Sequence, residues 1–237
     1  MSREAAVLDD PLQDSLQLSG TASSTADLIE RSIRGAILGG SLKAGSPLVE
    51  RKIAEELSVS KTPVREALIN LTRRGLVEFE RNRGARVRHL TIQDVLFVYE
   101  TRSLLEPQAV ADCIAHRPPD FDRRVSRARE ALDFATQASA ARDHVGRSRH
   151  NREFHQLLFS GSPNYFAVDT LLTLQDIAGL GATQILWEHT PSWDEESEEH
   201  TRLLSAFALG DAERSREILS LHINTAHRRI RASVKTH

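Results

Sequence analysis

The chain has 237 residues, 40% of them hydrophobic, and its 31 Lys and Arg against 33 Asp and Glu leave a formal charge of −2. That is enough apolar material for two ordinary cores, and it excludes a uniformly basic or acidic chain. A single cysteine, Cys113, excludes an intrachain disulfide and fits a reducing compartment. With no charged-then-apolar leader and no run of 18 apolar residues, export and membrane insertion are not expected and the cytoplasm is.

Residues 1 to 24 mix acidic positions with Ser, Thr and Gly without any sustained period, as a mobile tail does. Thr25 or Asp27 is then placed to cap a helix whose Leu28, Ile29, Ile33, Ala36 and Ile37 recur at helical spacing until Gly39-Gly40 stops it. A shorter amphipathic set, Glu50 to Leu57, turns Ile53, Ala54 and Leu57 inward. Only Ser58-Val59-Ser60 separates it from the next helix. In that helix Val64, Ala67, Leu68 and Leu71 share one face, and Lys61, Thr62, Arg65 and Thr72 share another. Ser60 is the expected N-cap, and Pro63 is tolerated in a first turn whose amides lack helical partners. Two helices joined by three residues predict a helix-turn-helix. Beyond Gly75, which can end the helix in a left-handed conformation, Leu76 to Glu80 alternates like a strand. Arg81 to Gly84 turns it, and Ala85 to Arg88 alternates again. The prediction for residues 25–90 is a winged helix-turn-helix.

Charge is distributed unevenly. Residues 25–90 hold 13 Lys and Arg against 8 Asp and Glu, whereas residues 91–237 hold 17 against 21. A positive excess confined to one domain fits a nucleic-acid partner for that domain, the alternative being a protein-docking module with a solvated basic surface. After a very short junction at Leu90-Thr91, with Thr91 a cap, helical periodicity takes over. Helices are predicted near 92–105, 106–116, 120–142, 144–160, 164–188, 193–209 and 212–234, with Pro107 kinking the first pair. Pro118-Pro119-Asp120, Gly161-Ser162-Pro163-Asn164, Thr190-Pro191-Ser192 and Gly210-Asp211 punctuate them. Residues 91–237 therefore read as an antiparallel helix bundle. The run Asp194 to Glu199 reads as a solvated acidic first turn.

The segment from Gly39 to Gly45, then Leu48, Glu50-Arg51, Ala54, Leu57 to Ser60, Thr62 to Leu68, Leu71, Gly75 to Val77 and Gly84 resembles the GntR family of bacterial transcription regulators. The resemblance implies DNA contacts at Arg51, Lys61, Thr62 and Arg65, with Gly84 at the wing tip. The family most often carries Arg at the position of Lys61. A lysine lacks the planar fork that recognises guanine bidentately, while it can still meet phosphate.

In the bundle, Asn151 and His155 lie four apart on one helix, and His200 and His222 sit within apolar stripes of the last two helices. Three imidazoles and an amide oxygen from three helices could meet in a core and bind a divalent metal, although with 10 histidines a coincidental set is also possible. This region resembles the all-helical effector domain of FadR-type members, through Val98 to Arg102, Leu105-Glu106, Phe154-His155, Asn164, His200 and His222. The resemblance implies a divalent transition metal, zinc or else nickel, cobalt, manganese or iron, held by Asn151, His155, His200 and His222. Where metal-binding members commonly carry Asp, this chain has Asn151, so its centre has one negative charge fewer.

Arg102 matches a cavity-facing position and would clamp a carboxylate effector. A plain helical ion pair with Glu106, four residues on, accounts for it equally. His116, His144, His150, His189 and His227 are expected at the surface. The resemblance as a whole implies a homodimeric, metabolite-responsive repressor on a palindromic operator. The rivals are a metal-sensing regulator and a three-histidine metalloenzyme, the latter opposed by the absence of His-Glu-x-x-His and Glu-x-x-His patterns.

Overall fold

Thirteen residues of α3, Lys61–Arg73, carry the apolar stripe around which the first unit is built: Val64, Ala67, Leu68 and Leu71 are all fully buried. Full burial of a Val or Leu side chain contributes roughly 1.5–3 kcal/mol. The computed structural model describes residues 24–81, 83–186 and 193–234. The chain divides into two units between His89 and Leu90. The expected tail up to Ser23, the end of the helix expected to reach 188, His189 and the Thr190-Pro191-Ser192 turn lie outside the described residues.

In the first unit α1, Thr25–Leu38, packs on α3 through Ile29, Ile33 and Ile37. Its cap is Ser24, one residue before the earlier of the two expected positions. The Asp27 amide donates to Ser24 Oγ at 3.1 Å and the Ser24 amide donates to Asp27 Oδ2 at 3.0 Å, so Asp27 serves as the reciprocal member of a capping box. α2, Glu50–Glu56, buries Ile53 and Ala54 and leaves Leu57 half-buried. Ser60 is the N-cap of α3, but its side chain makes no capping bond. The third helical position is Pro63, which has no N–H to donate. At the other end Gly75 has φ 69°, the left-handed conformation that lets the chain leave the helix. Arg74 Nε donates to Glu30 Oε1 at 2.6 Å and ties that end back to α1.

Strands β2, Val77–Glu80, and β3, Gly84–Val87, pair antiparallel with Val77 opposite Val87 and Glu80 opposite Gly84. A third strand, β1, Pro47–Leu48, pairs on the other side of β3 and gives the order β1-β3-β2. Two residues are too few to show alternation, so β1 left no periodic trace in the sequence.

The second unit is all-helical among its described residues: α4 Ile92–His116, α5 Phe121–Ala140, α6 His144–Phe159, α7 Tyr165–Gly181 continued by a π turn over Ala182–Leu186, α8 Trp193–Ala208 and α9 Ala212–Val234. Thr91 caps α4 in a box with Asp94. The two helices expected around Pro107 are one helix of 25 residues. Pro107 cannot donate to the Ser103 carbonyl, yet it lies buried on a helix that packs against α6, α7 and α9, and that packing outweighs the missing bond. α5 packs on α6 and α8, and α8 on α9. Phe154, Leu158, Phe159 and Leu171 are fully buried, and Phe121 stacks on Phe207 with ring centroids 4.8 Å apart. Cys113 is a buried member of this core. No described helix is long and apolar enough to cross a membrane.

Candidate functional site

Because the buried stripe of α3 fixes which side faces inward, Lys61, Thr62 and Arg65 are left exposed on its opening turns. A helix start presents unpartnered amides and a partial positive charge, so cationic residues there add to a surface suited to anions. Arg51 on α2 is exposed and makes only a loose pair with Glu55 at 3.5 Å. Gly84 begins β3 with φ 77°, a conformation that L side chains rarely adopt, and it is exposed at the hairpin turn. Arg81 and Arg83 are exposed beside it. Arg86 differs: its Nη1 donates to the Gly45 carbonyl at 2.7 Å and braces the sheet.

The second constellation is inside the bundle. α6, α8 and α9 bring His155, His200 and His222 together, all buried, with their ligand nitrogens within 4.8 Å of one another. Ligands about 2.1 Å from a common ion are at most about 4.2 Å apart; the trio lies close to that limit. His155 Nε2 and His200 Nε2 are 3.2 Å apart, and the His200 and His222 rings have centroids 4.5 Å apart. Two carboxylates hold two of these rings. His155 Nδ1 donates to Glu106 Oε1 at 2.6 Å, and His222 Nδ1 donates to Glu199 Oε2 at 2.7 Å. With Nδ1 protonated, each ring keeps its Nε2 lone pair for something else, the arrangement in which carboxylates orient metal-binding imidazoles.

Glu106 holds more than the His155 ring. It accepts from Arg102 Nε at 2.8 Å and from Gln175 Nε2 at 3.3 and 3.2 Å, and all four residues are buried. Burial alone would raise its pKa, but the Arg102 charge and then His155 hold it down at about 2. Burial likewise pushes His155 down to about 4, against the pull of Glu106, and pushes His200 well below the usual imidazole range. Both rings are therefore neutral near pH 7, as metal binding requires. Arg102 makes the ion pair with Glu106 that its spacing allowed, and its guanidinium lies over Tyr99 at 5.1 Å.

Asn151 sits one turn before His155 on α6, and its Oδ1 is buried without a hydrogen-bond partner. A buried acceptor left unpaired is unfavourable by about 1–3 kcal/mol, so this oxygen has the character of a ligand atom. His200 Nδ1 is likewise buried without a partner. Three close imidazoles are a donor set that fits a divalent transition ion, with the unpaired Asn151 oxygen one turn before His155 on α6.

The sequence did not expose the Glu106 and Glu199 contacts. Glu106 was visible as the i+4 neighbour of Arg102 and, with Leu105, as part of the resemblance, not as a partner of His155. Glu199 lies in an acidic run that is not uniformly solvated, since Glu196 and Glu199 are half-buried and Glu199 reaches across to α9. Of the other histidines His116 is exposed as expected, whereas His144, His150 and His227 are half-buried, and His150 packs on Phe134 with centroids 5.2 Å apart.

These pKa shifts set a pH dependence in metal-free protein. Because the folded value of His155 is near 4 rather than 6.5 and that of Glu106 near 2 rather than 4.5, the unfolded chain binds the protons first. Stability is then complete above about pH 6.5, falls as His155 is forced to protonate toward pH 4, and falls further toward pH 2 as Glu106 does. Urea midpoints of chelator-treated protein, followed at about pH 7.5, 5.5 and 4.5, should decrease in that order; unchanged midpoints would contradict the assignment.

The family of bacterial regulatory proteins called gntR matches residues 25–87, and the FCD domain matches residues 97–225. The chain belongs to the GntR family, with an FCD effector domain. Among its GntR relatives is a protein of Paenarthrobacter nicotinovorans named a probable D-xylose utilization operon transcriptional repressor, 26% identical over 205 residues, spanning 86% of this chain and 87% of that protein. The Glc operon transcriptional activator of Escherichia coli strain K12 is 28% identical over 170 residues, 64% of this chain and 66% of that protein. The crystal structure of a GntR transcriptional regulator from Rhodococcus sp. RHA1 superposes with TM-score 0.73 at 26% identity, covering 89% of this chain and 99% of that one. As a GntR regulator the chain is a DNA-binding protein of transcription, with a non-catalytic role.

Proposed function

We propose that this regulator reads an operator through α3 and is controlled by a small carboxylate bound at a metal centre in its helical unit. The observation that carries the DNA half is the exposure of Lys61, Thr62 and Arg65 opposite a fully buried stripe. Residues at the start of a recognition helix contact base edges and phosphates in the major groove. Arg65 supplies a fork for a base edge, Lys61 and Arg51 meet phosphate, and the turn at Gly84 brings the wing against the groove or backbone. The protein acts as a homodimer on a palindromic operator, so that two copies of α3 meet successive major grooves. Exposed Phe97 and Leu104, seven residues apart on α4, give the helical unit apolar surface of the kind that pairs subunits. Repression is the proposed sense, in line with the name of the Paenarthrobacter relative.

In the helical unit Asn151, His155, His200 and His222 would hold the ion, zinc first and otherwise nickel, cobalt, manganese or iron. A bound ion supplies a Lewis-acidic position for a carboxylate oxygen. Arg102, buried and braced by Glu106, supplies positive charge for the same acid. A coupling of about 1–3 kcal/mol between this site and the operator would change DNA affinity by roughly 5- to 150-fold.

The DNA half is tested with Arg65→Ala. Operator affinity should fall by about 1–3 kcal/mol with loss of discrimination at one base position. An equal loss on operator and random DNA would reduce Arg65 to a phosphate contact, and no loss on either would sink the interface.

A further inference from the structure

We infer that Ile69 reads sequence: it seats on the C5-methyl group of a thymine in the major groove, in line with Thr62 and beside Arg65. This rests on the operator reading of α3 above and adds to it a residue that ranks one operator against another. Of the seven exposed residues of α3, six are charged or carry a hydroxyl, and the seventh is Ile69, 38% exposed. Its position sets it apart from an apolar residue at the margin of a core. Seven residues are nearly two helical turns, so Ile69 stands almost directly behind Thr62. The buried Val64, Ala67, Leu68 and Leu71 occupy the opposite side.

A branched aliphatic side chain lowers helix propensity slightly against Ala or Leu, and in water it gains nothing by burial. A duplex changes that balance. Among the donors and acceptors of the major groove, thymine alone offers an apolar group, its C5-methyl. A polar base edge set against Ile69 gives up water without finding a partner, whereas the methyl loses nothing. Ile69 lies four residues beyond Arg65, about 6 Å along the helix axis. With α3 lying along the groove and steps of about 3.4 Å, the thymine falls about two base pairs from the base edge that Arg65 reads. The phosphate contacts of Lys61 and Arg51 hold α3 in register, and Ile69 reads what that register places beneath it.

The test uses the full chain and the duplexes it selects from a random pool. The tightest-bound duplex is remade with deoxyuridine replacing one thymine at a time, which removes the methyl and leaves base pairing unchanged. At a thymine about two base pairs from the position where Arg65→Ala loses discrimination, deoxyuridine should weaken wild-type binding about 4-fold, the worth of one buried methyl-sized group. Ile69→Ala should bind the two duplexes equally, and Ile69→Val, which keeps a branched apolar end, should retain most of the preference. A uracil penalty of the same size in wild type and Ile69→Ala, no penalty at any thymine, or no thymine near that position would overturn the inference. Each of those leaves the α3 interface standing as long as Arg65→Ala still loses discrimination. If wild type selects no sequence, or Arg65→Ala binds the selected duplex as tightly as wild type does, the operator reading falls and takes the role of Ile69 with it.

Discussion

Replacing Glu106 by Gln is expected to destabilise the helical unit by about 3–5 kcal/mol, the range seen when one member of a buried ion pair is removed. The side chains of Arg102 and Glu106 are 5% and 0% exposed, so solvent cannot take over the charge that Gln leaves behind. Glu106 offers two oxygens to three donors, Arg102 Nε, His155 Nδ1 and Gln175 Nε2, whereas Gln leaves them a single uncharged acceptor to compete for. The contact that fixes the His155 tautomer would weaken with the loss of charge, so metal retention should weaken alongside stability. Urea denaturation followed by the helical signal measures the first effect and chelator competition the second. A paired change, Arg102→Met with Glu106→Gln, removes the stranded charge and should recover much of the stability but not the metal affinity. A single Glu106→Gln protein within about 0.5 kcal/mol of wild type would mean that the pair is not the buried anchor it looks.

His200→Ala is the second large effect, and it should reduce bound metal to background. His200 is fully buried, touches the edge of Phe154 at 4.9 Å between centroids, and is the ring nearest both other histidines. Losing one of three imidazoles leaves only two clustered ring nitrogens, too few to hold a divalent ion against water. The truncation also opens a void, so a loss of stability accompanies it. For that reason metal content is compared with His116→Ala, which alters an exposed residue at the end of α4 and should keep its ion. Equal metal in the two variants, with helical content retained in both, would show that His200 is not a ligand.

Much of the architecture was legible because it depends on local pattern. The stripe Val64, Ala67, Leu68 and Leu71 named both the buried side of α3 and, by exclusion, the exposed cations. The three histidines were legible for a related reason: each occupies an inward position on an amphipathic helix. What escaped reading was contact between distant positions. Nothing in the spacing of Glu106 and His155, or of Glu199 and His222, announces that those pairs meet. The continuity of α4 escaped for another reason. Proline is a local signal for a break, and only packing on three neighbouring helices, which no local window contains, overrules it.

Placing the imidazoles on α6, α8 and α9 has a consequence for biosynthesis. A nascent chain that has released α6 and α8 from the ribosome owns two of the nitrogens, and the third arrives only with α9. An ion that needs all three rings would therefore have to wait for α9, and a polypeptide cut short before His222 would lack that site while still carrying α3.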